Sequence, residues 1–115
     1  MNAPISFADF RNAKAKSSKA KRPLYFQRDE LSLIMNSYSR QVMAGDCKDY
    51  SIDFAPGLAI FAMYKNANEQ PLYTVAKRVG VSGKGREFVL HEGKKPLKRS
   101  EELKDVLRVL EVKAS

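Results

Sequence analysis

The sequence predicts an α+β fold in which an N-terminal helix, an antiparallel four-stranded meander and a C-terminal helix follow one another, both helices covering one face of the sheet. Three observations carry that expectation. Apolar residues recur at helical spacing over residues 28–44, the period changes to two from Tyr50 onward, and helical spacing returns after Ser100. Short turns marked by glycine and proline separate the strand-like segments, as in strands joined to their neighbours.

In the first helix Leu31, Ile34, Met35, Tyr38 and Val42 fall within about 100° of one another on a helical wheel and form the core stripe. Asp29 and Glu30 suit the positive end of the helix dipole, Arg40 the negative end, and Gly45 supplies a stop. Leu33 points away from the stripe and is a candidate protein-contact residue. In Tyr50-Ser51-Ile52-Asp53-Phe54 large apolar residues alternate with small or polar ones, and Ala55-Pro56-Gly57-Leu58 has the Pro-Gly order of a type II turn. A second strand then runs over Leu58–Tyr64. A two-residue turn sets Ile52 opposite Phe61 and Tyr50 opposite Met63, so Tyr50, Ile52, Phe54, Phe61 and Met63 share the face that receives the helices. Ile60, Ala62 and Tyr64 belong to the other face, where Ile60 and Tyr64 are further candidate protein contacts.

A third strand is expected over residues 72–78 and a short fourth over residues 87–91, with residues 95–99 adding at most a brief fifth edge pairing around Leu97. Ser100 caps the second helix, whose first turn holds Glu101 and Glu102 and whose core stripe is Leu103, Val106, Leu107 and Leu110. Residues 11–22, RNAKAKSSKAKR, contain no apolar side chain larger than alanine and cannot offset the entropy of ordering. The chain therefore divides into a disordered basic arm, 1–23, and a single α+β domain, 24–115. Ahead of the basic stretch, Ile5, Phe7 and Phe10 form a small apolar cluster.

With 115 residues the chain supports one core, and 43% hydrophobic residues with no apolar run approaching about 18 place it in the non-spanning class. The start, MNAPISFADFRNAK, has an early acid and no continuous apolar stretch, unlike a secretory signal. Its single cysteine, Cys47, agrees with a reducing compartment, so a cytoplasmic location is expected. The formal net charge of +8 is the strongest anomaly, and such a surplus attracts polyanions. Most of the 21 basic side chains sit in residues 10–28 and 77–99.

The residues Phe26, Asp29-Glu30-Leu31, Leu33-Ile34, Tyr38, Arg40, Val42, Gly45, Asp49-Tyr50 and Ile52-Asp53-Phe54 make a distinctive helix-to-strand run. Together with Pro71-Leu72-Tyr73, Lys77-Arg78 and Val106-Leu107-Arg108-Val109-Leu110, they resemble a small bacterial family catalogued as domain of unknown function 2794. The resemblance spans about residues 26–112. It implies that the domain is one unit and the basic arm an appendage, and it carries no activity, cofactor or catalytic residue.

Catalytic chemistries find little support. GVSGKGR, residues 80–86, has two residues between its first glycines where a P-loop needs four, a glycine where the hydroxyl belongs, and a strand rather than a helix after it. A mobile hairpin loop is the better reading. The lone His91 has no ligand partner at metal spacing, and Asp49 and Asp53 lie about 13 Å apart along a strand, too far for joint acid-base work. Cys47 has no histidine near it in sequence. No enzyme activity, metal, cofactor or membrane partner is expected.

The leading expectation is a non-enzymatic basic module that contacts nucleic acid, or another polyanion, through phosphates with little sequence readout. The contact residues would be Lys14, Lys16, Lys19, Lys21 and Arg22 of the arm, with Lys77, Arg78, Lys84, Arg86, Lys94, Lys95, Lys98 and Arg99 along a sheet edge. The alternative is a protein-interaction or regulatory adaptor using Leu33, Ile60 and Tyr64.

Overall fold

The computed structural model describes residues 24–66, 70–80 and 85–114. Helix α1 (Arg28–Met43) leads into strands β1 (Asp49–Ala55), β2 (Leu58–Tyr64), β3 (Tyr73–Val79), β4 (Arg86–Glu92) and β5 (Lys95–Ser100), and helix α2 (Leu103–Ala114) follows. The strands form one antiparallel sheet in the order β1-β2-β3-β4-β5. The expected basic arm, and positions 81–84 of the glycine-rich loop, lie outside the described residues.

Local chemistry accounts for the element ends. Gln27 N–H donates to Glu30 Oε1 at 2.8 Å, satisfying a donor just ahead of α1. Gly45 takes φ +84° and returns its N–H to Val42 O at 3.0 Å, which stops the helix as expected. Gly57 adopts φ +70°, the value a type II turn needs at its third position, and pairs Ile52 with Phe61 and Tyr50 with Met63. Ser100 Oγ accepts from Glu102 N at 3.0 Å and donates to Asp105 Oδ2 at 2.9 Å, so Glu101 and Glu102 precede α2 rather than occupy its first turn.

The sheet has five strands rather than four. Gly93, at φ +60°, occupies the first central position of the two-residue turn Gly93-Lys94, a place where a II′ hairpin demands glycine. That turn sends the chain straight back along β4. A register shift at Leu90/His91 then moves the pairing from Leu90–Lys98 to His91–Pro96, and Leu97 packs against the core. The strand is thus anchored by one leucine and by the ladder, despite its lysines.

One core holds Ile34 and Tyr38 of α1, Phe61, Met63, Val75 and Leu90 of the sheet, and Leu103, Val106, Leu107 and Leu110 of α2. Both helices therefore lie on the same sheet face, and the α2 stripe is the one the spacing predicted. The α1 stripe is rotated. Ser37 and Gln41 are buried while Val42 is 42% exposed, because α1 must meet α2 as well as the sheet. At the contact between the helices, Ser37 Oγ donates to Glu111 Oε2 at 2.9 Å and Arg40 Nε to the same oxygen at 3.1 Å.

The sheet's two edges differ in chemistry. On β1 the N–H groups of Tyr50 and Phe54 donate to the carboxylates of Asp49 and Asp53, at 2.8 and 3.0 Å. On β5 the exposed side chains are Lys95, Pro96, Lys98 and Arg99. No helix among the described residues is long and apolar enough to cross a membrane.

Candidate nucleic-acid interface

The cationic edge is built by β4 and β5. Lys94 stands in the turn, Lys95, Lys98 and Arg99 follow on β5, and all four are exposed and make no ion pair among the described residues. Arg86, exposed at the far end of β4, donates to Gly85 O at 3.3 Å. Arg86 and Glu92 are the two ends of a seven-residue strand, about 20 Å apart, so the two basic groups mark opposite ends of one strand. Glu92 is engaged by Lys113 Nζ at 3.3 Å. Glu101 and Glu102 bound the stripe where β5 ends.

Beside this edge, on the sheet face away from the helices, lies an open depression of about 480 Å³ lined by Arg78, Val89, His91, Pro96, Lys98 and Arg99. His91 is half-buried, and burial, followed by the nearby Arg78 charge, pushes its pKa below the ordinary 6.5. The imidazole is therefore neutral at pH 7, and the hollow's charge comes from guanidinium and ammonium groups. A wide hollow of this kind suits an extended anion better than a small enclosed one.

Several expected contacts stand elsewhere. Lys77 is a correction: it is 2% exposed, on the helix-facing side of β3, with its ammonium 2.7 Å from Glu30 Oε1 and 2.9 Å from Tyr25 O. Pairing with Ala59 and Phe88 shows the cause, since both belong to the core face. Arg78 is on the opposite face, where its Nε donates to the buried Glu87 at 2.6 Å. Lys14, Lys16, Lys19, Lys21, Arg22 and Lys84 lie outside the described residues.

The protein-contact candidates also shift. Ile60 is 3% exposed and Ala62 is fully buried, so neither offers a free surface. Tyr64 is partly exposed, with its hydroxyl 3.1 Å from Ser51 Oγ. Leu33 is half-buried against the core and lines the groove between α1 and α2. Sequence reasoning missed the apolar residues at the β1 edge: Tyr25, Val42, Met43, Tyr50 and Phe54 are all exposed, and Tyr25 packs on Phe54 with ring centroids 4.7 Å apart. Alternation put Tyr50 and Phe54 on the core face correctly, but on an outermost strand that face runs past the helices.

Among the described residues no group of three His, Cys, Asp or Glu side chains is placed to hold a metal ion. Cys47 is buried, and burial, then Asp46, raises its thiol pKa. The family described as Protein of unknown function (DUF2794) matches this chain over residues 24–107. The chain belongs to the DUF2794 family. In this DUF2794 member the matched segment runs from the residue that precedes α1 by a short extended stretch into α2, and so takes in the whole sheet. No curated protein and no solved structure matches it.

Proposed function

We propose that this chain is a non-enzymatic cytoplasmic module that holds nucleic acid through its phosphates, mainly without sequence readout. The observation that best supports this reading is the unpaired cationic edge. Arg40, Lys77, Arg78, Arg108 and Lys113 are each engaged by a carboxylate, whereas Lys94, Lys95, Lys98 and Arg99 are left facing solvent on one strand and its turn. A row of that kind tracks a phosphate backbone and releases its counterions. Phosphate contacts position a ligand and carry no base information directly.

Binding of the full chain to duplex DNA and to single-stranded RNA, followed across salt concentration, tests the proposal. If about five phosphates are neutralised, log affinity on duplex DNA falls against log salt with a slope of about −4.5. The triple charge reversal Lys95→Glu, Lys98→Glu and Arg99→Glu should abolish most of that slope. A flat salt profile, or no retention at low salt, overturns the reading.

The adaptor reading has one observation of its own. Tyr25, Val42, Met43, Tyr50 and Phe54 gather exposed apolar surface at the opposite edge, and Met43 is 86% exposed. A pull-down with and without nuclease separates the two readings. Partners lost on nuclease treatment favour the polyanion module; partners that persist favour the adaptor.

A further inference from the structure

We infer that the groove between α1 and α2 receives an amphipathic helix of a partner protein, seated antiparallel to both and carrying acidic side chains in its last turn. The groove is continuous. Leu33, Ser37, Leu107 and Glu111 line a hollow of about 310 Å³, and Leu33 and Lys104 carry it on into a second of about 760 Å³ beside Arg28. From Arg28 to Arg40 the helical rise gives it a length of about 18 Å, room for a helix of about twelve residues. Leu33 and Leu107 make its floor apolar, so side chains at i, i+3 or i+4 and i+7 of an incoming helix find contacts along it.

The charge of the occupant follows from how the two helices lie. Arg28 and Leu33 share their hollow with Lys104, while Arg40 bonds Glu111, so first turn meets first turn and last meets last. Both positive dipole ends are therefore side by side. A cation in a first turn opposes the dipole, yet Arg28 and Lys104 each occupy one. Both are exposed, and neither makes an ion pair among the described residues. The acids that would offset them are engaged elsewhere. Glu30 holds Lys77, Asp105 accepts from Ser100 and Arg108, and Asp29, which lines that end, accepts the N–H of Glu30. Glu101 and Glu102 stand ahead of α2 and do not line the groove.

Further along, the charges are matched, Arg40 with Glu111 and Arg108 with Asp105. The groove is thus positive at one end and neutral beyond, over an apolar floor. A phosphate backbone carries the same charge along its length and leaves the leucines unused. A helix meets both features, because its C-terminus is the negative pole and its apolar stripe fits Leu33 and Leu107. Laid antiparallel to α1 and α2, it brings that pole and its acidic last turn against Arg28 and Lys104. None of the lining residues belongs to β5, and the assignment stands whether or not that edge binds nucleic acid.

Selection of phage-displayed helical peptides of about fourteen residues against the full chain tests the seat. Enriched peptides should carry leucines at helical spacing and acidic residues in the last turn. Such a peptide, made synthetically, should shift the methyl signals of Leu33 and Leu107 and leave those of Leu58 and Ile60 in place. Arg28→Glu/Lys104→Glu should weaken it by about tenfold, each reversal turning an exposed attraction into a repulsion. The same variant should accept the peptide rewritten with lysines in its last turn. Binding should persist in Lys95→Glu/Lys98→Glu/Arg99→Glu, and single-stranded RNA should not displace the peptide, which separates this result from that of the nucleic-acid reading. No enrichment, enrichment of peptides acidic in the first turn, displacement by RNA, or indifference to Arg28→Glu/Lys104→Glu overturns the assignment. So does self-association of the chain that the same variant abolishes, which would make a second copy the occupant.

Discussion

Lys77 Nζ lies 2.7 Å from Glu30 Oε1, with the lysine side chain 3% exposed and the glutamate 18%. The ammonium also receives the carbonyl of Tyr25 as an acceptor, and Glu30 accepts the N–H of Gln27. One buried charge pair thus ties the segment before α1, the first turn of α1 and the middle of the sheet. Glu30→Gln leaves the ammonium buried without its counter-charge, at a cost of about 3 kcal/mol. Chemical denaturation should show that loss, while polyanion affinity stays unchanged. Lys77→Met should cost less, since Glu30 is more exposed and keeps Gln27.

Gly93→Ala should weaken the cationic edge without touching a charge. A Cβ there meets nothing within 4 Å, so the penalty is that of φ +60° alone, about 1–2 kcal/mol. Hydrogen exchange should quicken in β5 before it does in β1 to β3. Affinity for polyanions should fall with it.

Acid should destabilise the protein in two steps. Burial holds the His91 pKa below 6.5, and the hydrogen bond from Arg40 holds the Glu111 pKa below 4.5. Both groups bind protons more readily when unfolded, so each contributes stability at neutral pH that is lost on acidification, His91 beginning near 6.5 and Glu111 near 4.5. Denaturation midpoints measured against pH should therefore lose the upper step in His91→Gln and the lower step in Glu111→Gln.

Cys47 should resist thiol reagents until the domain opens. Its burial and raised pKa both suppress the thiolate. Labelling at pH 7 should follow the denaturation curve. Rapid modification in the native state would contradict its burial in the core.

What the sequence disclosed depended on how strongly each residue's chemistry determined its place. The β1–β2 register was legible because Pro56-Gly57 allows one turn and alternation did the rest. The α2 stripe was legible because all four of its residues are aliphatic at regular spacing. Lys77 was misplaced because its charge outweighed its parity with Tyr73 and Val75, the better guide. The burial of Ile60 also had a sign: Leu58–Tyr64 contains no polar residue apart from the tyrosine hydroxyl, the mark of a strand covered on both faces. The length of β5 had none, since Lys-Pro-Leu-Lys-Arg has little strand preference and pairs only because Gly93 delivers it to β4. Of the candidate site, the β5 cations were legible as a cluster. Their freedom from carboxylates was not, because it depends on which acids fold toward other partners.

The aspartate-to-backbone bonds on β1 have a bearing on crowding. A strand arriving at that margin finds two of the amides it would need already occupied, while the opposite margin repels its own kind by charge. Edge-to-edge pairing of sheets from separate molecules is thereby disfavoured at both margins.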